Sequence, residues 1–153
     1  MKIVIFETEP WEEEAFQPFR DEHEVILTGA KLTEDNVNAY HDANIISTFI
    51  YSELNQEILQ VFDNLTMIAT RSTGYDHIPL DYCQENDIAV ANVPEYGDIT
   101  VAEHVFGLLL CISHNLVEAV DRTRRGDFSL RGLQGFDLKG KTLGVIGTGS
   151  IGE

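Results

Sequence analysis

Asn44-Ile-Ile-Ser-Thr48 lies between two stretches with helical spacing, Thr33–Tyr40 and Asn55–Phe62, and that setting decides the fold. Five residues rich in β-branched side chains suit a buried strand and are too short for a helix. The pattern repeats on either side. Lys2–Glu7 and Glu24–Thr28 precede it, Met67–Thr70 and Ile88–Asn92 follow, and helical patterns occupy Pro10–Arg20 and Pro79–Glu85. Such alternation with short connections predicts one parallel sheet covered by helices on both faces.

Five strands in this rhythm fit a flavodoxin-like α/β domain over residues 1–99, although the rhythm alone leaves strand order open. The chain of 153 residues is 43% apolar and 24% charged, the composition of a globular protein. No internal repeat or low-complexity stretch interrupts it. Residues 1–121 hold 23 acids against four bases, whereas residues 122–153 hold six bases against three acids. An acidic front of this kind repels phosphate backbones and anionic lipid, which argues against nucleic-acid and membrane partners. Cys83 and Cys111 are too far apart for a metal pair and read as buried thiols of a reducing compartment, with cytoplasm the expected location. No metal-ligand spacing is present.

The sign change near Arg122 marks a second unit. Thr100-Val-Ala-Glu103 reads as a capping box opening a long helix. Val101, Val105, Leu108, Leu109, Ile112, Leu116, Val117 and Val120 then recur at helical spacing to Val120, with Phe106, Leu110 and Cys111 adding apolar surface on other faces. This helix is expected to be buried nearly all round, to join two domains over residues 100–126, and to pair two copies of the chain in a homodimer. Arg122, Arg124 and Arg125 suit its negative end, and Gly126 its stop.

Residues 127–153 begin another element. The apolar run Leu143-Gly-Val-Ile146, expected as a strand over Thr142–Ile146, leads into Gly147-Thr-Gly149-Ser-Ile-Gly152. A GxGxxG placed directly after a strand is the fingerprint of a dinucleotide site. Its first glycine makes the tight turn, its second admits the pyrophosphate, and its third lets a helix pack closely. Ser150 and Ile151 sit inside that turn. The reading expects NAD as cofactor, held by a Rossmann unit that stops after its first strand. No acidic residue stands about twenty positions further on to hold the ribose.

These motifs, taken together, resemble the D-isomer-specific 2-hydroxyacid dehydrogenases over essentially the whole chain. Thr70-Arg-Ser-Thr-Gly-Tyr-Asp-His77 is similar to that family's substrate-carboxylate loop. Val93-Pro-Glu-Tyr96 and Thr100-Val-Ala-Glu-His104 are similar to its hinge and interdomain helix, and Asp127–Phe136 resembles its fermentative D-lactate branch. The resemblance implies that amides of Ser72, Thr73 and Gly74 hold the carboxylate of a small 2-hydroxy or 2-oxo acid. It implies that Tyr96 and Phe49 line the pocket and that Thr100 lies near the cofactor. It also implies that the catalytic arginine, histidine and orienting carboxylate belong beyond Gly152, so that this stretch alone binds NAD poorly and is inactive.

Several residues also have a bland reading. Arg71 either steers a carboxylate or is ion-paired, and His77 either lines the cleft or is a surface histidine. His104 reads as an interface histidine, and His23, His41 and His114 as structural. Glu12–Glu14 read as a solvated helix start, and Tyr51, Tyr75 and Tyr82 as packing residues. The competing function is a non-catalytic flavodoxin-like binding or interaction module. A flavin binder needs a hydroxyl-rich loop after the first strand, where Glu7-Thr-Glu-Pro-Trp-Glu-Glu13 stands, and a phosphorylated receiver needs an Asp after Ile45-Ile-Ser-Thr-Phe49.

Overall fold

The computed structural model describes residues 1–153 and divides them into two compact units, Met1–Tyr96 and Gly97–Glu153. The first unit holds five strands: β1 Lys2–Ile5, β2 Glu24–Leu27, β3 Ile45–Thr48, β4 Met67–Thr70 and β5 Ala89–Ala91. All four pairings are parallel, in the order β2-β1-β3-β4-β5. Register aligns Ile26, Val4, Ile46, Ile68 and Val90 in one row across the sheet. Side chains alternate faces along a strand, so this row presents a continuous β-branched surface to one side. Val4, Ile46 and Ile68 are fully buried there, with Phe6, Leu32, Val37, Leu54, Ile58 and Leu59 completing the core.

The helices of this unit are shorter than their periodicity predicts. Pro10–Arg20 forms a 3₁₀ turn at Pro10–Glu12, helix α1 at Glu13–Phe16, and a second 3₁₀ turn at Gln17–Asp21. Pro18 lacks the amide that would continue α1, so the α-helical ladder ends just before it. Thr33–Tyr40 forms only a 3₁₀ turn, Val37–Tyr40. There Asn36 accepts the Thr33 amide and donates to the Lys31 carbonyl, so side-chain bonds replace the helical ones. Helix α2, Gln56–Leu59, starts at the Asn55 cap, whose side chain accepts the Ile58 amide at 2.9 Å. Helix α3 spans Leu80–Glu85.

In the second unit the expected single helix is two: α4, Asp98–Ser113, and α5, Leu116–Arg124, bent by 67°. No single helix is long and apolar enough to cross a membrane. The start also differs. Gly97 is the N-cap, and Thr100 lies within the first turn rather than capping it. The break is held by a strap about twenty residues further along the chain. The Ser113 carbonyl accepts the Phe136 amide at 2.8 Å, and Asn115, in the left-handed region at φ 50°, donates its side-chain amide to the Leu133 and Gln134 carbonyls. Gly135 makes this approach feasible, because a Cβ there would stand 1.9 Å from the Ser113 oxygen. Gly126 terminates α5 with φ 80°, as expected of a C′ glycine.

Two further expectations fail in this unit. The helix is not buried all round: Val105, Phe106, Leu108, Ile112 and Val117 are exposed, because no element of the unit covers that side. Thr142–Ile146 forms no strand, and Leu143, Val145 and Ile146 are exposed. A strand needs a neighbour to satisfy its ladder, and this segment has none.

Candidate functional site

A cleft of about 730 Å³ opens in the first unit where the strands end. It is lined by Glu7, Glu9, Trp11 and Glu12 after β1, Gly29 and Lys31 after β2, Phe49 and Tyr51 after β3, Arg71 after β4, and Tyr96 after β5. Strand order reverses between β1 and β3, and open α/β sheets bind ligands at such a switch point, beyond the carboxyl ends of the strands. The geometry brings Phe49 and Tyr96 into one cavity with Arg71. Tyr51, read as a packing residue, stands in the wall instead, its ring 6.3 Å from that of Phe49 at 77°.

The cations of the cleft are occupied by the protein. Arg71 donates from Nη2 to the Phe6 and Glu7 carbonyls, both at 3.0 Å, and from Nη1 to the Ser47 hydroxyl at 3.2 Å. Its Nε lies 3.3 Å from the Glu12 carboxylate. Of its two readings, the ion pair is the one the structure forms. Glu12 therefore does not belong to a solvated face, its side chain being only 15% exposed. Lys31 pairs with Glu53 at 3.5 Å.

The Ser72–Gly74 loop follows Arg71 and is held by its own acceptors. The Ser72 hydroxyl lies 2.6 Å from the Thr70 hydroxyl and donates to the Gly74 carbonyl at 2.7 Å. The Ser72 carbonyl accepts the Val93 amide, the Thr73 hydroxyl donates to the Val93 carbonyl, and Asn92 donates to the Thr73 carbonyl. With every carbonyl engaged, the amides of Ser72, Thr73 and Gly74 donate to no protein acceptor. A Cβ on Gly74 would meet nothing within 4 Å, so this glycine leaves open space on the loop. Free amides beside open space are what a carboxylate needs.

Glu7 was not legible as a site residue. Its backbone is left-handed, φ 56°, and its carboxylate accepts the amides of Ile50, Tyr51 and Ser52 and the Ser52 hydroxyl. Burial pushes its carboxyl up, but the Ser52 hydroxyl and the loop amides outweigh that and hold it below its ordinary value of 4.5. His77 falls in a separate hollow with Ser52, Glu53 and Asp76, away from Phe49 and Tyr96. Its Nε2 is buried without a partner.

In the second unit the glycine turn is closed. Gly147 has φ 94°, the amides of Gly152 and Glu153 donate to the Gly149 carbonyl, and a Cβ on Gly152 would stand 2.1 Å from the Gly147 oxygen. The first and third glycines are thus sterically required, while Gly149 faces open space. Ser150 and Ile151 are exposed on this turn, and Thr100 is exposed on α4.

Residues 3–152 match the family model described as "D-isomer specific 2-hydroxyacid dehydrogenase, catalytic domain", and the chain belongs to this family of NAD-dependent oxidoreductases. The D-lactate dehydrogenase of Escherichia coli K12 is 31% identical over 156 residues, covering 99% of this chain and 47% of that enzyme. The D-3-phosphoglycerate dehydrogenase of Methanocaldococcus jannaschii is 29% identical, covering 99% of this chain and 29% of that one. Among solved structures, the D-lactate dehydrogenase of Aquifex aeolicus complexed with NAD and lactic acid matches with TM-score 0.88 and 32% identity, over 98% of this chain and 45% of that one. The chain spans about half the length of the D-lactate dehydrogenases it matches.

Proposed function

We propose that this chain provides the substrate-binding part of an NAD-dependent dehydrogenase that interconverts D-lactate and pyruvate. The observation that carries the reading is the Ser72–Gly74 loop, whose carbonyls are all engaged and whose amides are free, and which directly follows Arg71 in the wall of the cleft at the switch point of the sheet. The amides would hold the substrate carboxylate, and Phe49 and Tyr96 would enclose its carbon skeleton and exclude water. An uncharged skeleton suits this cleft better than a phosphorylated one, because Arg71 and Lys31 already carry carboxylate partners.

Gly149 has open space around it, which is what a backbone approached by a pyrophosphate needs. Gly147, Gly149, Ser150, Ile151 and Gly152 would hold the phosphates, with Thr100 nearby. The chemistry NAD would supply there is acceptance of a hydride from C2 of the hydroxy acid. The family resemblance would put the arginine, histidine and carboxylate of that chemistry downstream of the Gly147–Gly152 turn.

The direct test is NADH-dependent reduction of pyruvate by the full-length protein, with oxidation of D- and L-lactate compared. Activity confined to the D-isomer supports the assignment. Inactivity on 2-oxo acids, with the chain serving as a flavodoxin-like binding module, would overturn it.

A further inference from the structure

One feature of the cleft has no counterpart among the expected site residues: an ionised side chain turned away from solvent into the protein's own main chain. Three consecutive amides, those of Ile50, Tyr51 and Ser52, converge on the Glu7 carboxylate at 3.0, 3.0 and 2.9 Å. Consecutive amides aimed at one point form an anion-binding concavity, and here its anion is internal. The Ser52 hydroxyl joins the same carboxylate and accepts the Leu32 amide at 3.0 Å. The loops after β1, β2 and β3 are thereby tied at one point, at the switch in strand order.

Glu7 reaches this point in a left-handed conformation, which residues other than glycine rarely adopt. Such strain persists where the surroundings over-determine it, and it concentrates at ligand sites. The clasped segment is the one that carries Phe49 and Tyr51 into the cleft wall. Its other end is tied through the Phe49 carbonyl, which accepts the Thr70 hydroxyl at 3.2 Å. The Thr70 hydroxyl also lies 2.6 Å from that of Ser72, so the aromatic wall and the carboxylate loop meet at this pair of hydroxyls.

We propose that Glu7 is a positioning residue of the substrate cleft: by clasping the Ile50–Ser52 amides it fixes the aromatic wall that encloses the substrate, without itself touching the reacting atoms. The proposal rests on the dehydrogenase reading for its substrate and on the structure alone for the clasp. Glu7→Gln keeps the length of the side chain but turns an NH₂ toward amide donors, so at least one bond is replaced by a donor–donor clash.

The experiment pairs kinetics with amide spectra. In the full-length protein, Glu7→Gln is expected to raise KM for pyruvate roughly tenfold while kcat changes less than about threefold, the signature of lost ground-state positioning. In the 153-residue chain, the amide signals of Ile50, Tyr51 and Ser52 should move upfield and exchange faster, while those of Val4, Ile46 and Ile68 hold. Ser52→Ala, which keeps Glu7 and its three amide donors but removes the hydroxyl's bonds to the Glu7 carboxylate and from the Leu32 amide, should shift both readouts the same way by less, and it carries the test where Glu7→Gln does not fold. Loop amides that stay in place, or an unchanged KM once they have moved, would overturn the clasp. A wild-type protein inactive on every 2-oxo acid would instead overturn the dehydrogenase reading, and the loop amides alone would then decide the clasp.

Discussion

Gly74 and Glu7 show how differently two residues can be constrained. Gly74 has space around its Cα and no left-handed backbone, so a larger side chain there meets solvent rather than protein. Gly74→Val should therefore leave the melting temperature of the full-length protein nearly unchanged. It should raise KM for pyruvate, since the added methyls would fill the space a carboxylate uses. A fall in melting temperature with KM constant would move the carboxylate site elsewhere. For Glu7 the consequence is one of acidity. Its carboxyl is held below 4.5 in the folded state, so its contribution to stability is complete above that value and disappears as pH falls through the lower folded one. The stability difference between wild type and Glu7→Gln should then shrink as pH drops below about 4.5, as read by urea unfolding across that range. Parallel curves would show that the clasp is made equally well by the protonated acid.

Among the elements, the strands were the legible part. Met67–Thr70 forms residue for residue as its β-branched run predicts, and the other four strands lose only end residues. Short apolar runs and β-branched side chains are local properties, so they can be read in one dimension. Phe49, Tyr96 and the Ser72–Gly74 loop were named by resemblance. Glu7, the Glu12–Arg71 pair, Trp11, Tyr51 and Lys31 were not, because what matters about them is which distant main chain they meet. The helix break at His114 and Asn115 was hidden for the same reason: its cause lies some twenty residues on, in the strap at 133–136. Gly135→Ala would place a methyl against the Ser113 carbonyl, and overpacking of this kind costs about 1–3 kcal/mol. The measurement is hydrogen exchange at Phe136 and Asn115, which should accelerate while β4 amides keep their protection. Equal exchange in both proteins would mean that the strap yields without strain.

At the scale of the whole molecule, the apolar side of α4 and α5 dominates. Val105, Leu108, Ile112 and Val117 face water, and covering each would contribute roughly 1.5–3 kcal/mol. A symmetric contact buries the same patch twice, so a second copy of the chain is an economical cover. We expect light scattering at micromolar concentration to give twice the 17.2 kDa of one chain, and Ile112→Glu to return it to that mass. A wild-type chain that stays at 17.2 kDa would rule out self-association through these helices.

Trp11 is the chain's only tryptophan, stands in the cleft wall and is 79% exposed. Excitation that bypasses the tyrosines therefore makes the molecule emit from a single place, the mouth of its own site. An indole already in contact with water gains little further exposure when the chain unfolds, so its fluorescence is a poor witness of global denaturation. Far-ultraviolet dichroism has to follow that instead. A ligand in the cleft that covers this indole is expected to dry it and move its emission to the blue. The protein thus carries an unlabelled optical probe that answers to occupancy and stays nearly silent on folding.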